Sequence, residues 1–154
     1  MSTEEFVDSY LRETAEIAAR TSRADLSRVI EVLFEAYRAS ADIYTCGNGG
    51  SAANASHLAC DLAKFTHIEG KPRFRVRSLC DNAALVSALT NDVGFSKIFT
   101  DQLEASFKAF DVLVCLSVHG GAGEDKAGPW SQNLVGAARL AIERGGKVVS
   151  LVGY

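Results

Sequence analysis

The sequence predicts an α/β fold, a three-layer sandwich with a parallel sheet between two layers of helices. Three observations carry that expectation. Short apolar runs such as Asp111 to Leu116 alternate with amphipathic helical stretches, the pattern of parallel strands covered on both faces. Two of those runs end in Gly- and Ser-bearing loops that open onto helices. Two long amphipathic segments precede the first strand.

Residues 3–21 place Phe6, Tyr10, Leu11, Ala15 and Ile17 on a helical apolar stripe. Residues 24–40 do the same with Leu26, Val29, Ile30, Leu33, Phe34 and Tyr37, and Asp25 suits the positive end of that helix dipole. Two helices exceed what one sheet needs for cover, so their surplus apolar faces are expected at an oligomer interface. The first strand is expected at 42–46 and the third helix at 51–65. The second strand follows at 74–79, with helical segments at 83–90 and 94–108. The third strand is 111–116, the last helix 131–144 with Ser131 as its N-cap, and the fourth strand begins at Lys147. Val148 to Gly153 reads as a buried strand with no helix after it. Such a sheet is expected to continue, in a longer chain or under a partner.

The totals exclude several classes. A chain of 154 residues with 47% hydrophobic and 23% charged residues fits one soluble domain. No apolar run approaches the ~20 residues of a membrane span, and the N-terminus (Ser2-Thr3-Glu4-Glu5) is acidic, unlike a secretory signal. The cytoplasm is the expected location. A net charge of -3 argues against direct nucleic-acid binding. Arg73, Arg75 and Arg77 alternate along a strand and read as a solvated edge. Cys46, Cys60, Cys80 and Cys115 form no C-x-x-C pair, so neither a disulfide framework nor a Cys-based zinc site is expected.

The chemistry concentrates in two loops. Cys46-Gly47-Asn48-Gly49-Gly50-Ser51 leads from a strand into a helix, whose first amides and dipole make an anion site. His57 and Asp61 stand four residues apart on that helix, hence on one face, as an acid/base or metal pair. The second loop runs from Ser117 through His119 and Gly120 to Ser131. With strands one and three adjacent, in a flavodoxin-like order, both loops meet at the topological switch point. The dinucleotide fingerprint is broken, because Ala52 replaces its third glycine; G-x-x-x-x-G-K-[ST] and G-x-S-x-G are absent as well. What remains is a cradle for one phosphate monoester.

Cys46 to Ala52, with the helix Ala55-Ser56-His57-Leu58-Ala59-Cys60-Asp61-Leu62, resembles the sugar isomerase (SIS) domain, and within it the phosphoheptose isomerases. Further similarities are Asn91-Asp92-Val93-Gly94-Phe95, Phe99, Gln102 to Ala105, and Asp111-Val112-Leu113 with Ser117. The resemblance spans about residues 3 to 152. It implies one SIS domain over 1–154, with 1–40 as a helical oligomerisation segment and 41–154 as an αβα core incomplete at its C-terminus. It implies substrate or phosphate contacts from Asn48, Gly49, Gly50, Ser51, Asp81, Ser117, His119, Gly120 and Ser131. His57 falls on a histidine that binds zinc in some members. Asp61 falls on the family's catalytic glutamate, sometimes a metal ligand, but is one methylene shorter. The Ser-x-Ser-Gly-Asn-Ser loop of the family has become Ser117-Val118-His119-Gly120-Gly121 with a long insertion. The family's second catalytic group, a C-terminal histidine with a nearby glutamine, has no counterpart in these residues.

The activity so implied is aldose–ketose isomerisation of sedoheptulose 7-phosphate through an enediol, for glycan precursors, in a homotetramer with sites at subunit interfaces. Asp61 is the expected base and His57 the holder of a Zn2+ that polarises the sugar oxygens. Two ligands make a poor zinc site, so others would have to come from elsewhere. Plainer roles stand beside these. Asp61 could only orient His57, and His119 could be an ordinary loop residue. Lys126 and Trp130 could gate substrate or pack on the surface; Gln102 and Glu104 read as solvated or at an interface. Two other functions fit the same residues, a sugar-phosphate sensor and a non-catalytic adaptor that binds a replication initiator.

Overall fold

The computed structural model describes residues 1–120 and 131–153, and the chain falls into two units, Met1–Glu31 and Val32–Tyr154. In the first unit, α1 (Thr3–Arg20) starts at a capping box. Ser2 Oγ accepts from the Glu5 amide at 3.1 Å, and the Glu5 carboxylate accepts from the Ser2 amide at 2.6 Å. No residue of α1 is buried; Phe6, Tyr10, Leu11 and Ile17 are all exposed. Helix α2 (Arg23–Ala39) begins in this unit, where the Asp25 carboxylate accepts from Arg28 and its amide donates to Ser22 Oγ.

The second unit holds four parallel strands, β1 (Asp42–Gly47), β2 (Arg75–Ser78), β3 (Val112–Ser117) and β4 (Lys147–Val152), in the order β2-β1-β3-β4. The pairing sets Cys46 opposite Cys115 and Ser117 opposite Val152. Helix α3 (Gly50–Lys64) packs on β1, β2 and β3. The opposite face is covered by α5 (Ile98–Glu104) and α6 (Gln132–Glu143), which give Phe99, Leu103, Leu134, Ala137 and Ala141 to a core with Tyr44, Cys46, Leu113 and Cys115. Alternation along β1 explains the two faces: Tyr44 and Cys46 enter that core, while the Thr45 hydroxyl turns the other way and donates to Ala55 O on α3 at 2.8 Å. The result is helix, sheet, helix. All six residues of β1 are buried, as a central strand requires.

Helix α4 (Ala83–Asp92) is capped by Asn82, whose Oδ1 accepts from the Leu85 amide, and Gly94 at φ 92° turns the chain into a 3-10 turn, Phe95–Lys97. The expected helix over 94–108 therefore starts as a 3-10 turn and stops at Glu104. Arg144 donates to the carbonyls of Leu103, Glu104 and Phe107, occupying the acceptors at that helix end. Gln102 is not simply solvated: it donates to Leu79 O and Ile98 O from a half-buried position. Strand β4 also differs from its expected burial. As the last strand in the order, it buries Val149 and leaves Leu151 and Val152 exposed.

The arginine run lies on the edge strand β2, as its alternation suggested, but Arg75 and Arg77 are engaged. Arg75 forks onto the Asp42 carboxylate at 3.0 and 3.2 Å, and Arg77 reaches it at 3.4 Å. Burial pushes the Asp42 carboxyl up, but the two guanidinium groups outweigh it and hold the group below its usual range. The four cysteines are free thiols. Cys46 and Cys115 touch at 3.6 Å between Sγ atoms, and the hydrogen bond shared with Cys115, together with burial, pushes the Cys46 thiol up. Among the described residues no helix is long and apolar enough to cross a membrane.

Candidate active site

At the C-terminal end of β1 the chain must turn sharply into α3. A Cβ on Gly47 would lie 2.5 Å from Ser51 O and 2.9 Å from the Ala52 amide nitrogen, so only glycine lets the strand end pass under the first helical turn. Gly49 is the N-cap, at φ 55°, and Gly50 opens the helix. The Ser51 and Ala52 amides donate to Asn48 O, which closes the turn.

Ser51 faces a cleft of 360 Å³ that it shares with Asn54 from α3, Leu116, Ser117 and Val118 from the end of β3, and Leu151, Val152 and Gly153 from β4. The β1 and β3 loops thus meet where the strand order reverses direction. The Ser117 hydroxyl accepts the Gly120 amide at 3.2 Å, so its own proton is directed to another acceptor. Gly120 makes that turn at φ 71°. Among the described residues no lysine or arginine lines the cleft, and what they offer an anion is hydroxyls and the N-terminal end of α3.

His57 and Asp61 meet on the outer part of α3, with Nε2 and Oδ2 3.2 Å apart. The His57 side chain is 75% exposed and that of Asp61 43%, so the pair is solvated and gains little from its mutual charge. Residues 51, 54, 57 and 61 follow helical spacing and form one polar stripe. At a rise of 1.5 Å per residue, His57 stands about 9 Å and Asp61 about 15 Å along the axis from Ser51. The pair therefore flanks the cleft at a distance and does not line it.

The remaining residues spread around this centre. Asp81 is exposed in the turn after β2, a turn drawn toward the end of β1 by the Cys80 thiol, which donates to Gly47 O at 3.4 Å. His119 is exposed in the loop after β3. Ser131 holds the N-cap position of α6 but makes no side-chain capping bond; its carbonyl accepts the Leu134 and Val135 amides, and Asn133 Oδ1 takes the Leu134 amide instead. Neither Asp81, His119 nor Ser131 lines the cleft around Ser51. Lys126 and Trp130, with the rest of 121–130, lie outside the described residues.

Asn48, expected on the substrate, bonds a side chain of the protein. Its Nδ2 donates to Asn133 Oδ1 at 3.0 Å and its Oδ1 accepts from Asn133 Nδ2 at 2.8 Å. Asn133, fully buried, was not expected from sequence, and no local pattern around it announces a partner 85 positions away. Asn54 was also missed, although its helical spacing between Ser51 and Asp61 was there to be read.

A zinc ion needs at least three protein ligands at a catalytic site. His57 and Asp61 offer two donors, and no group of three or more His, Cys, Asp or Glu suited to a metal occurs among the described residues. The described donors do not fit a zinc site on their own, and no step is derived through one.

A family model for the SIS domain matches residues 5–153. The chain belongs to the SIS domain family. It is 40% identical over 148 residues to the lincomycin biosynthesis protein LmbN of Streptomyces lincolnensis, covering 96% of this chain and 53% of that protein. It is 33% identical over 138 residues to the phosphoheptose isomerase of Pelobacter propionicus, covering 90% of this chain and 68% of that one. The solved structure of phosphoheptose isomerase GmhA from Neisseria gonorrhoeae superposes with a TM-score of 0.83 at 27% identity, over 98% of this chain and 75% of that chain. This SIS chain thus spans about half the length of the first relative and two thirds of the second.

Proposed function

We propose that this SIS protein holds the phosphate of an open-chain sugar phosphate and interconverts its aldose and ketose forms, with sedoheptulose 7-phosphate as substrate. One observation carries the reading: Ser51 and Ser117, from loops after two different strands, line one cleft, and the helix that begins beside Ser51 bears the His57–Asp61 pair. Relatives named phosphoheptose isomerase support it. The phosphate would sit on the two hydroxyls at the positive, N-terminal end of α3, with the carbonyl end of the sugar extended along the polar stripe. Asp61 would then remove the proton on the carbon beside the carbonyl. His57 would orient that carboxylate and offer its other ring nitrogen to the oxygen that becomes the enediolate. The reading includes a homotetramer built through α1 and α2, and a cytoplasmic location. Zinc enters it only if donors beyond His57 and Asp61 complete the site.

The 40% identity to a lincomycin biosynthesis protein favours a second reading of the substrate: the same isomerisation on a sugar phosphate of antibiotic biosynthesis, in place of a glycan heptose.

The test is C–H exchange of sedoheptulose 7-phosphate in D2O. Exchange is expected with the wild type, to fall about 100-fold or more in Asp61→Asn, and phosphate binding is expected to weaken roughly tenfold in Ser51→Ala. Binding without exchange would make the protein a sensor. Neither binding nor exchange, with a bound replication initiator instead, would make it an adaptor and end the enzymatic reading.

A further inference from the structure

We infer that Asn48 and Asn133 form a clasp that sets the geometry of the phosphate cradle, making Asn133 a positioning residue and Asn48 its partner. This rests on the proposed sugar-phosphate reading only for what the cradle holds. The two carboxamides exchange both hydrogen bonds, at 3.0 and 2.8 Å. Asn48 sits in the β1–α3 turn, where its carbonyl also fixes the Ser51 and Ala52 amides. Asn133 lies in the first turn of α6, fully buried, and its Oδ1 additionally accepts the Leu134 amide at 3.0 Å. The clasp thereby joins the starts of two helices whose parent strands, β1 and β3, are neighbours. Each carboxamide donates and accepts at once from a planar head, so both bonds of the pair form only when both turns hold their places. If either turn shifts, a fully buried amide loses its partner, which is costly. The Ser51 amide, bound to Asn48 O, is thus tied through Asn48 to a buried residue of α6.

The experiment is a double-mutant cycle on the full chain with Asn48→Ala, Asn133→Ala and both together, read in two ways. Amide hydrogen exchange at Gly50, Ser51 and Ala52 is followed without ligand, and inorganic phosphate and sedoheptulose 7-phosphate are titrated separately. The clasp requires both single variants to speed exchange at those amides and to weaken either phosphate probe by about tenfold, with the double variant no worse than a single one. Unchanged exchange in Asn133→Ala, or additive losses with Asn48→Ala much the larger, would overturn it, the latter making Asn48 a direct ligand. Should Asn133→Ala not fold, Asn133→Asp, which keeps the Oδ1 acceptor and deletes the donor, gives the same readout. If the wild type binds neither phosphate probe, the functional reading fails, and the clasp is decided by amide exchange alone.

Discussion

Asp42 opens β1 and ties three parts of the fold together. Its carboxylate takes Arg75 and Arg77 from the neighbouring strand, while its amide donates to the Asp111 carboxylate, which also accepts the Lys108 amide. Because the folded protein holds the Asp42 carboxyl below its usual range, the charge contributes stability above the ordinary carboxylate pKa. That stability is lost as pH falls through the depressed value. Asp42→Asn is expected to destabilise the protein by about 1 kcal/mol at neutral pH, the half-exposed guanidinium groups being screened by solvent. The Tm gap to wild type should then close in acid. A gap that stays constant from neutral pH to strong acid would show that the ion pair is not its source. The residue scale is also where sequence reading was weakest. Arg75 and Arg77 are exposed on the edge strand as read, but a strand pattern gives a face and not the Asp42 partner. The motif around Asn48 does not display its partner Asn133.

At the scale of elements, the turn from β1 into α3 decides the site. Gly47 is required by backbone proximity, with Ser51 O 2.5 Å from any Cβ it could carry. Gly47→Ala should therefore destabilise by about 1–3 kcal/mol and lose phosphate binding more than its stability loss explains, because relief of the clash must move Ser51. Chemical denaturation and phosphate titration of the same variant check both parts, and binding unchanged in a folded variant would refute the link. Gly49, at φ 55°, meets nothing within 4 Å of an added Cβ, so it is held by conformation and not by space. The strands and helices were readable because apolar periodicity and glycine punctuation are local signals. The end of α5 was not, since Arg144 fixes it from forty positions away.

For the whole molecule, the apolar stripe of α1 has a clear consequence. Phe6, Tyr10 and Ile17 are 55, 63 and 67% exposed, and a contiguous apolar face of that kind is a surface for association. A homotetramer through this face would be split by Tyr10→Asp. Sedimentation equilibrium should then give a smaller species than wild type, with the parallel core still folded by circular dichroism. A wild-type protein that sediments as a monomer would remove the assembly from the proposed function.

The α/β class, the order of elements, the family resemblance and the candidate polar groups are legible along the chain, because each is written in local spacing. Which groups share a cleft, and which are held by other side chains, follows from the folded arrangement alone. It brought Ser51 and Ser117 together, left His57 and Asp61 out along the helix, and buried Asn133 against Asn48. Strand register and long-range hydrogen bonds join residues more than sixty positions apart, and no periodicity in the chain encodes which partner a buried amide will find.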